Sequence, residues 1–143
     1  MITDKLLRVS TDQAVTTTAV STDTIDLSVA RDIGEGQELT MNFAVTTAFS
    51  GGTSVKFEVI QSASADLSSP TVIGSSDAVV TASLTAGANI AVRINPQIGS
   101  TGQRYIGARY TVSGTYTAGK VTADIVADIQ DGKKFYASGF TVV

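Results

Sequence analysis

The amino-acid sequence predicts an all-β domain of about eight short antiparallel strands, packed as a sandwich, jelly roll or small barrel. Three observations predict it. Apolar and polar residues alternate with a period of two in at least five segments. Clusters of Gly, Ser and Asp punctuate those segments at fairly regular spacing. No stretch holds a convincing helical period over the ~11 residues of an average helix.

Leu39, Met41, Phe43 and Val45 alternate with Thr40, Asn42, Ala44 and Thr46, the mark of a half-buried strand. Ser50-Gly51-Gly52 is a turn, and Val55, Phe57 and Val59 then alternate with Ser54, Lys56 and Glu58. The pair reads as a hairpin, because Gly51-Gly52 adopts positive φ without steric cost. A Ser-rich loop over Ala65–Pro70 leads into a short strand at Thr71-Val72-Ile73. The turn Thr85-Ala86-Gly87 precedes Ile90, Val92 and Ile94, which alternate with Asn89, Ala91 and Arg93. Pro96, lacking an amide proton, stops that strand. Ile106, Ala108, Tyr110 and Val112 point one way, and Tyr105, Gly107, Arg109 and Thr111 the other. After a turn over Ser113–Gly119, Val121, Ala123, Ile125, Ala127 and Ile129 form an inner face. The spacing of Val121, Ile125 and Ile129 also permits a helix, but the β-branched content favours a strand. The predicted core is Phe43, Phe57, Val59, Val92, Ile94, Ile106, Ile125 and Ile129. There is no linker, repeat or low-complexity tract, so residues 1–143 form one domain, with extended terminal segments at 1–14 and 132–143.

Composition narrows the function. The chain has 143 residues, of which 43% are hydrophobic and 16% charged, enough to bury a core. Ser and Thr supply roughly a quarter, which suits pleated, half-exposed strands. A formal net charge of -3 offers no basic footprint for nucleic acid. There is no Cys and no His, which removes thiol nucleophiles, disulfides, His-based triads and the commonest metal ligands. The first residues, MITDKLLRVSTDQ, lack an apolar signal-peptide core, and no apolar run reaches the ~18–20 residues of a membrane span. No enzyme activity, cofactor, metal or membrane partner is therefore expected.

The motifs agree. Gly114-Thr115-Tyr116-Thr117-Ala118-Gly119-Lys120 has the glycine and lysine spacing of a phosphate-binding loop, but Val121 stands where a magnesium-binding hydroxyl belongs. Its flanks read as two paired strands, whereas such a loop needs a strand followed by a helix. Asp23 with Asp26, Asp124 with Asp128, and Asp32, Glu35 and Glu38 are the carboxylate clusters. They lack a calcium-loop spacing, and the chain has no Trp to grip a sugar, so they read as solvated faces and turn caps. Tyr105, Arg109 and Tyr110 share one strand, and Lys133, Lys134, Phe135 and Tyr136 form a cluster near the carboxyl end. These are either strand decoration with lysine edge protection or a contact surface, since Tyr and Arg concentrate at interface cores. Tyr105, Arg109, Lys133, Lys134, Phe135 and Tyr136 are the candidate interface residues.

The sequence resembles the jelly-roll capsid cement, or decoration, proteins of podovirus-type tailed bacteriophages. The resemblance runs from about Leu6 to the carboxyl end. It is carried by Asp12-Gln13-Ala14-Val15, by Ile25-Asp26-Leu27 before Arg31-Asp32-Ile33-Gly34, by Arg104-Tyr105-Ile106, and by Phe135-Tyr136-Ala137-Ser138-Gly139-Phe140. It implies a jelly roll and a structural virion protein on the outer surface of a phage head, made in the host cytoplasm. The implied partners are an HK97-type major capsid protein and further copies of the chain, as a homodimer or homotrimer bridging capsomers. A His-free, Cys-free β domain with uncovered edges for a partner strand suits that role. The contact is expected at the chain ends, before Val15 and after Asp131. The alternative is a receptor- or carbohydrate-binding β-sandwich of a phage tail or fibre, although the repeats and Gly-rich shafts of fibres are missing.

Overall fold

The computed structural model describes residues 3–31, 38–95 and 102–127. Ten strands form among them: β1 (Arg8–Ala14), β2 (Ala19–Val20), β3 (Ile25–Asp26), β4 (Thr40–Ser50), β5 (Ser54–Ser62), β6 (Thr71–Ser75), β7 (Val79–Val80), β8 (Asn89–Arg93), β9 (Tyr105–Ser113) and β10 (Ala118–Val126). Two single-turn 3-10 segments, Lys5–Leu7 and Thr81–Ser83, are the only helical pieces among the described residues. The first is capped by the Asp4 carboxylate, which accepts from the Leu6 amide at 2.9 Å.

One sheet has the order β1-β10-β4-β8 and the other β2-β9-β5-β6, with every pairing antiparallel. β3 extends β2 along the edge of β9, and β7 extends β6 along β5, so ten strands fill eight positions. The chain changes sheet at nearly every connection, which is the double Greek key of a jelly roll. The predicted fold class therefore holds.

Two expected hairpins do not form. β4 and β5 lie in different sheets, and so do β9 and β10. Both connections, Gly51–Thr53 and Gly114–Thr117, are arches across the sandwich. Each sheet needs its apolar face buried against the other, and crossing the core achieves this as well as pairing does. β9 instead pairs with β5 over nine register positions, and β10 with β4 over eight.

Between the sheets lie Met41, Phe43, Val45, Val55, Phe57, Val59, Val92, Ile94, Ile106, Val121, Ala123 and Ile125, all buried. Phe43, Phe57 and Tyr110 meet as three rings with centroids 5.1–6.0 Å apart. Ile129 lies outside the described residues, and Ala127 is exposed at the end of β10. Val121–Val126 is strand and not helix. Within the terminal segment 1–14, residues 8–14 form β1 and bury Val9 completely.

The edges are less open than expected. On one side the Asp23 amide donates to the Val9 carbonyl (2.9 Å), and Gln13 Nε2 donates to the Val20 carbonyl (2.8 Å). On the other, the Asn95 amide donates to the Ile73 carbonyl (2.8 Å), and Gly74 lies so close to the Arg93 carbonyl that a Cβ would collide with it. Loops and neighbouring strands thus cover parts of the β1 and β8 edges, which limits strand addition there.

Candidate docking end

The two ends of the sandwich differ. At one, the arches stack: Gly51 and Gly52 lie against Thr115 and Tyr116, and Phe49 meets Tyr116 edge to face at 5.1 Å. Tyr116 is 2% exposed, and its hydroxyl lies 2.6 Å from Thr81 Oγ1. Thr81 Oγ1 also donates to the Gly52 carbonyl at 2.7 Å. Gly114–Lys120, the loop with phosphate-binding spacing, belongs to this closed end. Lys120 projects from β10 and forms an ion pair with Asp12 at 2.9 Å.

The other end is open. Register places Thr40, Ser62, Arg93, Tyr105 and Val126 there together. Leu39, Ile125, Val126 and Ala127 from one layer face Ile25, Leu27 and Ile106 from the other across an apolar groove of about 200 Å³, with Leu7 at its lip. Leu6 is 83% exposed and Val29 54%, so the apolar character continues onto the surface.

A polar clasp borders the groove. Arg104 Nε and Nη2 each donate at 2.7 Å to the two oxygens of Asp26, a bidentate pair. The Ser28 amide also donates to Asp26, and the Leu27 amide to the Arg104 carbonyl at 2.9 Å. The Arg104 guanidinium lies 5.0 Å from the Tyr105 ring centre. The Arg104 and Ser28 hydrogen bonds lower the Asp26 carboxyl to about 2, against an ordinary 3.8, and Asp26 in turn raises Arg104.

The candidate residues divide. Tyr105 is half-buried at the open end, within the clasp. Arg109 projects from the same face of β9, about 13 Å further along the strand. There Arg109 Nε donates to Glu58 at 2.7 Å, Thr111 Oγ1 donates at 2.8 Å, and Lys56 approaches at 3.4 Å. Burial alone would raise the Glu58 carboxyl, but the bonds from Arg109 and Thr111 and the charges of Arg109 and Lys56 hold it below its ordinary value. Arg109 is thus committed within its own sheet. Tyr110 is a core residue, 0% exposed, donating to Ser10 Oγ at 2.7 Å; burial raises its phenol, opposed by that hydrogen bond. Lys133, Lys134, Phe135 and Tyr136 lie outside the described residues.

Arg104 and the Leu6–Leu7 turn are the contributors that sequence reasoning did not single out. Arg104 gains meaning only through Asp26, 78 positions away. Leu6 and Leu7 were legible as adjacent leucines beside a polar cap, but no strand period marked them. Among the described residues, no group of three or more acidic side chains gathers as a metal site. The carboxyls of Asp12, Asp26, Glu58 and Asp66 are all displaced downward, the direction opposite to that of a general acid working near neutral pH. The open end offers apolar area, one aromatic ring and a fixed ion pair, which are the materials of a protein contact.

A family model described as Bbp16 matches residues 9–125, from β1 almost to the end of β10. The carboxyl-terminal pieces that carried part of the resemblance, Phe135 to Phe140, lie beyond that match. No curated protein matches the chain. The match spans most of the chain and the whole jelly roll up to Ile125, and the chain belongs to the Bbp16 family, a phage-related family.

Proposed function

We propose that the protein is a capsid cement protein, which binds the outside of an assembled HK97-type phage head, bridges neighbouring capsomers and is not an enzyme. The observation that carries this reading is the Bbp16 match over a jelly roll that is closed at one end and apolar at the other. Its partners are the major capsid protein and further copies of itself, and it resides on the virion surface. The contact lies at the open end, where Leu6, Val29 and the Arg104–Tyr105 clasp are displayed. An exposed aliphatic anchor beside Tyr and Arg fits the make-up of interface centres.

The physical task is modest. A ligand that binds only the assembled shell lowers its free energy by RT ln(1 + [L]/Kd) at each site. Symmetry repeats the site, and dimers or trimers engage more than one capsomer at once, so weak contacts add to strong adhesion. A jelly roll with a rigid ring core and partly stitched edges keeps one shape before and after docking. Co-sedimentation with expanded heads and with unassembled capsid protein tests the reading, because a bridging site exists only on the former. A paired Leu6→Asp, Tyr105→Ala variant should remain folded and lose occupancy.

A further inference from the structure

We infer that the apolar groove at the open end is the seat of the chain's own carboxyl-terminal segment, residues 128–143, with an aromatic side chain of that segment filling it. The inference concerns the free protein and does not depend on the cement reading.

The groove is, first, an unfilled piece of core. Its walls are aliphatic on both layers, with Leu39, Ile125 and Val126 facing Ile25 and Ile106. Interiors are packed like organic crystals, and walls around an empty volume forfeit their dispersion contacts. The opposite end shows how this sandwich closes a gap between its sheets, with the Phe49 and Tyr116 rings inserted edge to face. A volume of about 200 Å³ has room for about one aromatic side chain of the same kind.

The position of the last described residues comes next. Val126 and Ala127 are themselves groove wall, so residue 128 starts at the lip. Sixteen residues follow Ala127, since 143 − 127 = 16. They can span roughly 50 Å when extended, far more than the groove requires. A segment tethered at the lip acts at an effective concentration of about millimolar. A second copy or a foreign arm at micromolar concentration would have to bind far more tightly to displace it.

Composition completes the case. The chain has four Tyr and five Phe. Phe43, Phe49, Phe57, Tyr110 and Tyr116 are buried in the sandwich, and Tyr105 lies under Arg104. The remaining three, Phe135, Tyr136 and Phe140, all belong to residues 128–143, with Ile129, Val142 and Val143 beside them. The part of the chain nearest the groove is thus rich in the side chains that would fill it.

The test uses the purified full-length protein without capsids. Lys133 and Lys134 are trypsin sites inside the proposed plug. Cleavage there, mapped by mass spectrometry, is read beside hydrogen exchange of residues 128–143 and binding of an apolar dye. Three variants are compared: Leu7→Glu at the half-open lip, Leu39→Glu in the wall, and the tail pair Phe135→Ser with Phe140→Ser. In each, cleavage after Lys133 or Lys134 should be about tenfold faster than in the unmodified chain, because it follows local opening. Dye binding should rise, while exchange in β5 and β9 stays unchanged. If Leu39→Glu loses its fold, Leu7→Glu and the tail pair still decide. Equal cleavage in the unmodified chain and these variants overturns the inference. Protection that appears only at concentrations where the protein self-associates also overturns it, since the occupant would then be a second copy's tail.

Discussion

Phe57→Ala is the sharpest probe of the core. Phe57 is 0% exposed on β5 and stacks within 5.1 Å of Phe43 and 6.0 Å of Tyr110. Removing the ring deletes its transfer free energy, leaves a cavity between two sheets that cannot collapse together, and breaks two aromatic contacts. Burying a Phe contributes about 1.5–3 kcal/mol. Each ring pair adds about 0.5–1.5 kcal/mol. Phe→Ala changes in cores cost about 3–5 kcal/mol in all, and we expect that range here. Urea titration followed by circular dichroism measures it, with Val72→Ala, at a 39% exposed position, as the control. The control should move stability by less than about 0.5 kcal/mol. In thermal melts the core variant should lose roughly 6–20 °C. Because Phe43 shares the cluster, the Phe43→Ala, Phe57→Ala pair should depart from additivity. A Phe57→Ala loss no larger than that of the Val72 control would refute the ring-centred core.

Two further outcomes are expected. Gly74→Ala should destabilise by about 1–3 kcal/mol, because its Cβ would meet the backbone oxygen of Arg93, which cannot rotate away; a neutral result in urea would mean that β6 and β8 do not close on each other. Asp26 and Glu58 both titrate lower folded than unfolded, so they favour folding above about pH 4 and lose that effect as pH falls toward the Asp26 value of about 2. The melting-temperature gap between the unmodified chain and an Asp26→Asn, Glu58→Gln variant should therefore be widest near pH 7 and close toward pH 2, and a gap that widens with acid would reverse the assignment.

How much was legible in the sequence depended on how local the signal was. Alternation located β4, β5, β8, β9 and β10 and oriented them, because a period of two is a property of each segment alone. Partner choice is not: Gly51-Gly52 and Gly114 mark turns equally well for a hairpin or an arch, and only β9 pairing with β5 decides between them. β1 was hidden because its pairing with β10 shifts register twice, blurring the alternation over Arg8–Ala14.

Burial of polar groups was equally invisible. Asn42 and Glu58 fall on outward positions, yet Asn42 is 0% exposed and Glu58 4%. Asn42 pairs in register with Asp124, which Arg8 holds at 2.6 Å, and Glu58 is covered by Arg109 and Lys56. Such coverage comes from residues 34 to 116 positions apart, counting Asn42 to Arg8 and Arg8 to Asp124. The same non-locality explains the site: Tyr105 could be proposed from its type, whereas its clasp of Arg104 and Asp26 needed the fold. Arg109, equally attractive by type, proved committed to Glu58.

The central claim is that the protein recognises an assembled shell, and the amount bound to shells against free subunits tests it most directly. Purified protein is mixed with expanded heads lacking it, and separately with unassembled capsid protein, and each mixture is sedimented. The account predicts saturable pelleting with the heads at a fixed ratio to capsid subunits, and retention in the supernatant with free subunits. Equal binding to both, or none to heads, would contradict it.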